Sequence, residues 1–242
     1  MTETAVVTGA AVVTGGAGGI GRAVLARLSR AGFVTVSWDL RSDAPADHSL
    51  AVDVTDAAAL QRAAKQTVKL AGPVRALVIN AGIRGPVARA WEVAPEEVRR
   101  VIDTNLVSAF LTLRAVVPLM LGNPGPDRGR IVMMASLQAK EGTVEAGPYA
   151  AAKAGLVALV KVTGKELATD GILVNAVTPT VVRTPMEKGL TPKRRAFLLS
   201  KIPMARFAEA DEVAAMVAWL CGPDCTFSTG AVFDISGGRA TS

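Results

Sequence analysis

The chain has 242 residues, half of them apolar, 4% aromatic and 20% charged, which suffices to bury a substantial core in one domain and excludes the disordered and fibrous classes. Lys and Arg number 27 against 21 Asp and Glu, a net charge of +6, but they are scattered apart from Lys193, Arg194 and Arg195. Without an aromatic-lined sheet motif or a helix-turn-helix pattern, that charge suits small anionic ligands and excludes nucleic acid as the expected partner.

In chain order, AAVVTG (10–15) reads as a strand, GIGRAVLARLSRAG (19–32) as a helix closed by Gly32, FVTVSWD (33–39) as a second strand and HSLAVDV (48–54) as a third. A helix from about Asp56 to Leu70, the strand VRALVIN (74–80), a long helix from near Pro95 and the strand GRIVMMAS (129–136) follow. The last part holds a helix from Pro148 to Ala168, the strand ILVNAV (172–177), a helix from Asp211 to Leu220 and the strand AVFDIS (231–236). Short apolar runs without alternation belong to a parallel sheet covered on both faces. Seven of them with crossover helices predict an α/β fold, a single domain over residues 1–242 with a doubly wound seven-stranded parallel sheet and helices on both faces.

Several features are read beside this pattern. Thr178 to Glu209, rich in proline, follows a strand's carboxyl end and is the expected substrate loop or lid. Gly164, inside a helical stretch, marks a close packing contact or a weak point near the helix end. Cys221 and Cys225 lack a second Cys or His pair, so no metal site is expected. His48, the single histidine, has no nucleophile to serve and reads as a surface residue in a turn-like segment. No stretch approaches eighteen uninterrupted apolar residues and no charged-then-apolar leader is seen, so a cytoplasmic protein without a membrane partner is expected.

VVTG occurs twice, at 6–9 and 12–15. A turn that cradles a phosphate needs glycines where the backbone bends and approaches the ligand, and a helix beginning at once so that its free N–H groups face the charge. The second copy meets this with Gly15, Gly19, Ile20 and Gly21 ahead of RAVLARLSR. Three residues beyond Gly9 there is no glycine, so residues 1–10 read as a strand extension or a loose leader. Asp39 ends the second strand about twenty residues on, where a carboxylate accepts hydrogen bonds from an adenosine ribose and repels a 2′-phosphate. NAD is therefore favoured over NADP, with Arg41 as the opposing signal.

Together these residues resemble the short-chain dehydrogenase/reductase family, along essentially the whole chain. The motif T-G-x3-G-x-G is met by Thr14 to Gly21, the acid before the adenine pocket by Asp53 with Val54 beside it, and N-A-G by Asn80, Ala81 and Gly82. The active-site Asn matches Asn105, the Ser matches Ser136, and Y-x3-K is Tyr149 to Lys153. The resemblance implies a Rossmann fold, a homotetramer, and Asn105 carrying a water that relays protons from Lys153. Tyr149 and Lys153 lie one helical turn apart, and an ammonium beside a phenol favours the phenolate that exchanges a proton with the substrate oxygen. Ser136 is expected to orient that oxygen, and Lys153 also to hold the nicotinamide ribose. One departure stands out: where the family has Pro-Gly this chain has Pro179-Thr180, ahead of Thr184, the expected contact of the nicotinamide carboxamide. A threonine at that position does not adopt positive φ easily.

Substrate contacts are expected from Arg84, Ser136, Gln138, Glu145 and Tyr149, with Arg183, Lys188, Lys193, Arg194, Arg195 and Lys201 making a cationic lid suited to an anionic small molecule. A solvated basic helix explains the same lid. Within the family, KEG (140–142), LSKIPMARF (199–207) and STGAVFDISGGRAT (228–241) resemble a bacterial 3-oxoacyl-carrier-protein reductase subgroup that includes dehydrogenases of 2-keto-3-deoxy sugar acids. Asp39 tips the expectation toward the NAD-reducing sugar-acid reaction at C4, with 3-oxoacyl reduction as the alternative. A nucleotide sensor without turnover is a third class, and the presence of both Tyr149 and Lys153 weighs against it.

Overall fold

The computed structural model describes residues 9–184 and 191–240. The strands β1 (Ala10–Thr14), β2 (Val34–Asp39) and β3 (His48–Ala51) run on one side of the sheet, and β4 (Val74–Ile79), β5 (Gly129–Met134) and β6 (Ile172–Pro179) on the other. Two short strands, β7 (Val182–Arg183) and β8 (Ala208–Glu209), pair apart from this sheet, and β9 (Val232–Ile235) completes it. The main order is β3-β2-β1-β4-β5-β6-β9, with parallel registers throughout, such as Thr14 opposite Trp38 and Val13 opposite Val78. This is the single-domain doubly wound α/β fold. Its strand order reverses between β1 and β4, which opens a crevice at their carboxyl ends.

Helices α1 (Gly19–Arg30), α2 (Ala57–Ala71), α3 (Pro95–Ile102), α4 (Ser108–Leu121), α5 (Gln138–Glu141), α6 (Gly147–Glu166), α7 (Pro192–Leu199) and α8 (Ala210–Cys221) supply the crossovers and loops. Leu60 and Ala63 of α2, Leu113 and Val116 of α4, and Leu156 and Val160 of α6 pack on one face of the sheet. Val24, Leu25 and Leu28 of α1 with Val213, Val217 and Leu220 of α8 cover the other. Because both faces are covered, the five residues of β1 are all buried and continuously apolar up to Thr14.

The sequence expectation of one long helix from Pro95 is met with an interruption. Asp103–Val107 forms a π-helical turn between α3 and α4, a wider turn that carries one extra residue. By length and composition the run Pro95–Leu121 is long and apolar enough to cross a membrane. Its Val101, Ala109, Leu113, Val116 and Met120 are buried in the fold.

Gly164 of α6 sits against the Thr229–Gly230 turn: a Cβ there would lie 2.5 Å from the Gly230 nitrogen, and the Thr229 hydroxyl donates to the Gly164 carbonyl at 3.1 Å. Backbone cannot yield as a side-chain tip can. Gly164→Ala is accordingly expected to destabilise by about 1–3 kcal/mol, read as a drop of several degrees in thermal unfolding. An unchanged melting temperature would show that helix and turn separate freely.

His48 opens β3 and is half-buried rather than lying in a surface turn. Cys221 and Cys225 are buried free thiols. Of the first VVTG copy only Gly9 falls within the described residues, and Thr241 and Ser242 lie outside them, as does Lys188.

Candidate active site

At the switch point one side chain joins the two halves of the sheet. The Thr14 hydroxyl, at the end of β1, accepts the Asn80 and Ala81 N–H groups at 2.9 and 3.0 Å. The Asn80 amide donates back to the Thr14 and Gly15 carbonyls at 3.0 and 3.1 Å. These bonds bring the glycine-rich turn and the N-A-G turn together. Gly15 has φ 67°, and a Cβ on Gly21 would stand 2.2 Å from the Gly15 carbonyl oxygen, so helix α1 begins directly on the turn. Gly18, its N-cap, offers no capping side chain, and its first turn holds no acidic residue. The positive end of the helix is left for a ligand's anion.

Asp39, at the end of β2, accepts the Ala17 N–H at 3.0 Å and the Arg41 N–H at 3.0 Å, one on each carboxylate oxygen. A carboxylate oxygen accepts more than one bond, so the group retains capacity for ribose hydroxyls. The Arg41 guanidinium donates to the Ala17 carbonyl at 2.6 Å. Asp53 and Val54 line the same cleft. The donor set, from the bare helix end to the acceptor at Asp39, fits a dinucleotide.

A cavity of about 1120 Å³ runs from this end to the end of β5. It is lined by Gly15, Gly19, Ile20, Gly21, Asp39, Asp53, Val54, Asn80, Ala81 and Gly82, and beyond them by Asn105, Ser136, Tyr149, Lys153, Pro179 and Thr184. These two groups are far apart in sequence and meet because β1, β4, β5 and β6 end on the same edge.

The π-helical turn points the Asn105 side chain at the N-A-G segment. Its Oδ1 accepts the Ile83 N–H at 3.1 Å and its Nδ2 donates to the Ile83 and Val101 carbonyls, both at 2.9 Å. Asn105 is 1% exposed, so its amide is a buried brace on the chain that follows N-A-G. Ser136 follows β5, and its hydroxyl accepts the Gln138 N–H at 3.2 Å.

Tyr149 and Lys153 share one face of α6. Burial raises the Tyr149 pKa above its ordinary value, opposed by a hydrogen bond with Ser136 and by the charge of Arg84. Lys153 is 3% exposed, and burial lowers its pKa to about 8. Its ammonium donates to the Met134 carbonyl at 2.6 Å and stands 5.7 Å from the centre of the Tyr149 ring. The cluster pairs a half-buried phenol with an amine whose pKa burial lowers to about 8, a proton-exchanging arrangement.

Of the expected substrate residues, Arg84 and Gln138 line the cavity, whereas Glu145 is exposed and does not. Glu145 instead makes the backbone bend before α6, with φ 64°. In the lid, Arg194 lines the cavity from α7, while Arg183 pairs with Glu209 at 3.3 Å. Arg195 and Lys201 lie over the rings of Phe207 and Phe197, and Lys193 is absent from the lining. Thr180 keeps ordinary φ, its N–H donating to Ile235 at 3.1 Å. Thr143, Thr180 and Arg239 also line the cavity. The pattern gave no sign of Arg239, which reaches from near the C-terminus and is held by Glu141 at 2.8 Å.

Comparison with known proteins agrees with this geometry. A family model described as enoyl-(acyl carrier protein) reductase matches residues 15–240. A 2-dehydro-3-deoxy-L-rhamnonate dehydrogenase (NAD(+)) of Sphingomonas sp. (strain SKA58) is 42% identical over 239 residues, 96% of this chain and 95% of its own. The 3-oxoacyl-[acyl-carrier-protein] reductase FabG of Escherichia coli (strain K12) is 33% identical over 237 residues, 94% and 96%. Among solved structures, a 3-ketoacyl-(acyl-carrier-protein) reductase from Brucella melitensis complexed with NADH superposes with a TM-score of 0.89 at 28% identity, covering 95% of this chain and 97% of that one. With a shared fold, a match over nearly its whole length and a dinucleotide crevice ending at a Ser-Tyr-Lys cluster, the chain belongs to the short-chain dehydrogenase/reductase family of oxidoreductases.

Proposed function

We propose that the protein is an NAD-dependent dehydrogenase that oxidises the C4 hydroxyl of a 2-keto-3-deoxy sugar acid to a ketone; its Sphingomonas relative is named as an NAD(+)-dependent dehydrogenase of 2-dehydro-3-deoxy-L-rhamnonate. The carrying observation is the single cavity with Asp39 at one end and Ser136, Tyr149 and Lys153 at the other. Asp39 accepts the ribose hydroxyls and repels a 2′-phosphate, favouring NAD over NADP. The glycine-rich turn and Asp39 would hold NAD, which would supply the hydride acceptor and a positive charge. Ser136 orients the substrate oxygen, Tyr149 as phenolate removes the hydroxyl proton, and Lys153 stabilises that phenolate. The balance is one secondary alcohol and NAD giving ketone, NADH and a proton. Asn105, by its hold on the Ile83 peptide, keeps the floor of the site in place. Pro179 and Thr184 are assigned to the nicotinamide side, and Gln138 to the substrate.

The whole chain acts as one dinucleotide-binding and catalytic domain with residues 178–209 as lid. Cytoplasmic placement fits two thiols left unpaired, and the exposed Val107 of the π-helical turn, Phe110 of α4 and Val162 of α6 support a homotetramer through an apolar helix face. Reduction of 3-oxoacyl thioesters is the second reading, favoured by Phe197 and Met204, which expose apolar surface in the lid.

The test is NADH formation by purified protein with 2-keto-3-deoxy-L-rhamnonate, 2-keto-3-deoxy-L-fuconate, 3-hydroxyacyl thioesters and simple secondary alcohols. Oxidation of the sugar acids with NAD, at least tenfold faster than with NADP, is expected. NADPH-dependent reduction of 3-oxoacyl thioesters without sugar-acid oxidation would overturn the assignment.

A further inference from the structure

Six arginines line the cavity: Arg22, Arg41, Arg84, Arg100, Arg194 and Arg239. Five have visible occupation. Arg22 pairs with Asp43 at 2.7 Å, Arg100 with Glu97 at 2.6 Å and Arg239 with Glu141 at 2.8 Å. Arg41 donates to the Ala17 carbonyl at 2.6 Å and Arg194 lies 5.4 Å from the centre of the Phe197 ring. Among the described residues Arg84 has no ion pair or hydrogen bond from its guanidinium, although the carboxylates Asp39, Asp53 and Asp103 line the same cavity.

The mount of Arg84 is fixed. Both peptide groups of the preceding Ile83 are bonded to buried Asn105, and the following Gly85 has φ 73° with no room for a side chain, its Cβ position being 2.4 Å from Val101. A cation on a braced segment, unpaired and facing a ligand cavity, is arranged for an anion that arrives with the ligand. Its field reaches the reacting hydroxyl, since the Arg84 charge acts on Tyr149.

We propose that Arg84 anchors the carboxylate of the acid substrate beside the Tyr149 hydroxyl. The inference rests on the sugar-acid reading above and adds the residue that makes the site select an acid. In a 2-keto-3-deoxy acid the carboxylate carbon is three carbon–carbon bonds from C4, a span of about 4 Å. The anchor at Arg84 then has that span to cover for C4 to meet the Ser136–Tyr149 pair, which lines the same cavity. Guanidinium meets carboxylate with two parallel hydrogen bonds, which fixes orientation as well as affinity.

The experiment compares 2-keto-3-deoxy-L-rhamnonate with its primary amide, on the wild type, Arg84→Met and Arg84→Lys. The readout is the ratio of kcat/KM for acid over amide, with the same ligand pair scored by quenching of enzyme-bound NADH fluorescence. The wild type is expected to prefer the acid by about a hundredfold. Arg84→Met is expected to bring the ratio close to one, and Arg84→Lys to retain part of it. NADH binding in each variant confirms a folded protein. An acid preference that Arg84→Met leaves intact, or a wild type with no acid preference in either readout, overturns the anchor. If the wild type oxidises neither ligand but binds the acid in preference, and Arg84→Met abolishes that preference, the reaction assigned above falls while the anchor stands.

Discussion

Tyr149→Phe lowers kcat for sugar-acid oxidation by about three to four orders of magnitude, within the range of a lost general base, while NADH affinity stays within about twofold of the wild type. The phenyl ring keeps the packing of α6, and only the hydroxyl with its bond to Ser136 is removed. The melting temperature therefore moves by a few degrees at most. Single-turnover NADH formation and fluorescence titration check the two halves. A Phe variant retaining a tenth of the activity would show that the proton leaves by another route, and the assignment of Tyr149 would fail.

Lys153→Met is expected to make the apoprotein more stable as it makes the enzyme inactive. The ammonium is buried with no carboxylate beside it among the described residues, donating to the Met134 carbonyl, and its pKa is lowered to about 8. The native state thus sheds the proton before the unfolded chain does, whose lysine titrates near 10.4. Between about pH 8 and 10.4 the unfolded chain binds more protons, so wild-type stability rises with pH through that window. Below it the penalty is fully present, at most about 3 kcal/mol for a shift of this size. A methionine avoids this cost but leaves the Met134 carbonyl without its donor, which returns part of the gain. The expected net is about 1–2 kcal/mol of added stability at pH 7, falling through zero within the window and ending by about pH 10.4 as a net loss of about 1 kcal/mol, the cost of the Met134 carbonyl left without its donor. Denaturant unfolding of apoprotein at both pH values checks it. A Met variant less stable at pH 7 and unchanged in kcat would reject both the burial cost and the role.

The layered sheet was legible because parallel strands covered on both faces leave long apolar runs, of which IVMM in β5 and LVI in β4 are examples, and because α1 and α2 have strong amphipathic spacing. The dinucleotide end was legible for a different reason: glycines, a helix start and an acid at a strand end are each local in sequence. What the pattern did not reveal was set by distance or by small geometry. Arg239 joins the cavity through a pairing with Glu141, 98 residues away, and no local signal announces it. Glu145, expected at the site as part of the loop around Ser136, is spent on a backbone bend at positive φ. The four-residue helix α5 and α7 within the lid are short enough that tertiary contacts decide them more than propensity does. Among the lid cations, sequence could not separate Arg194, which reaches the cavity, from Arg183, which is paired with Glu209.

The π-helical turn at Asp103–Val107 sets a tolerance for insertions and deletions along the chain. Each residue of a helix advances the side chains by about 100°, so cutting one residue there restores an even helix while rotating the Asn105 amide away from Ile83. Both peptide groups of Ile83, and the segment that mounts Arg84, lose their brace in the same step. At Gly125, in the loop between α4 and β5, a Cβ meets nothing within 4 Å, and a residue added or removed there stays outside the crevice. A change of length in the α4–β5 loop therefore leaves the crevice untouched, while the π-helical turn is counted to the single residue.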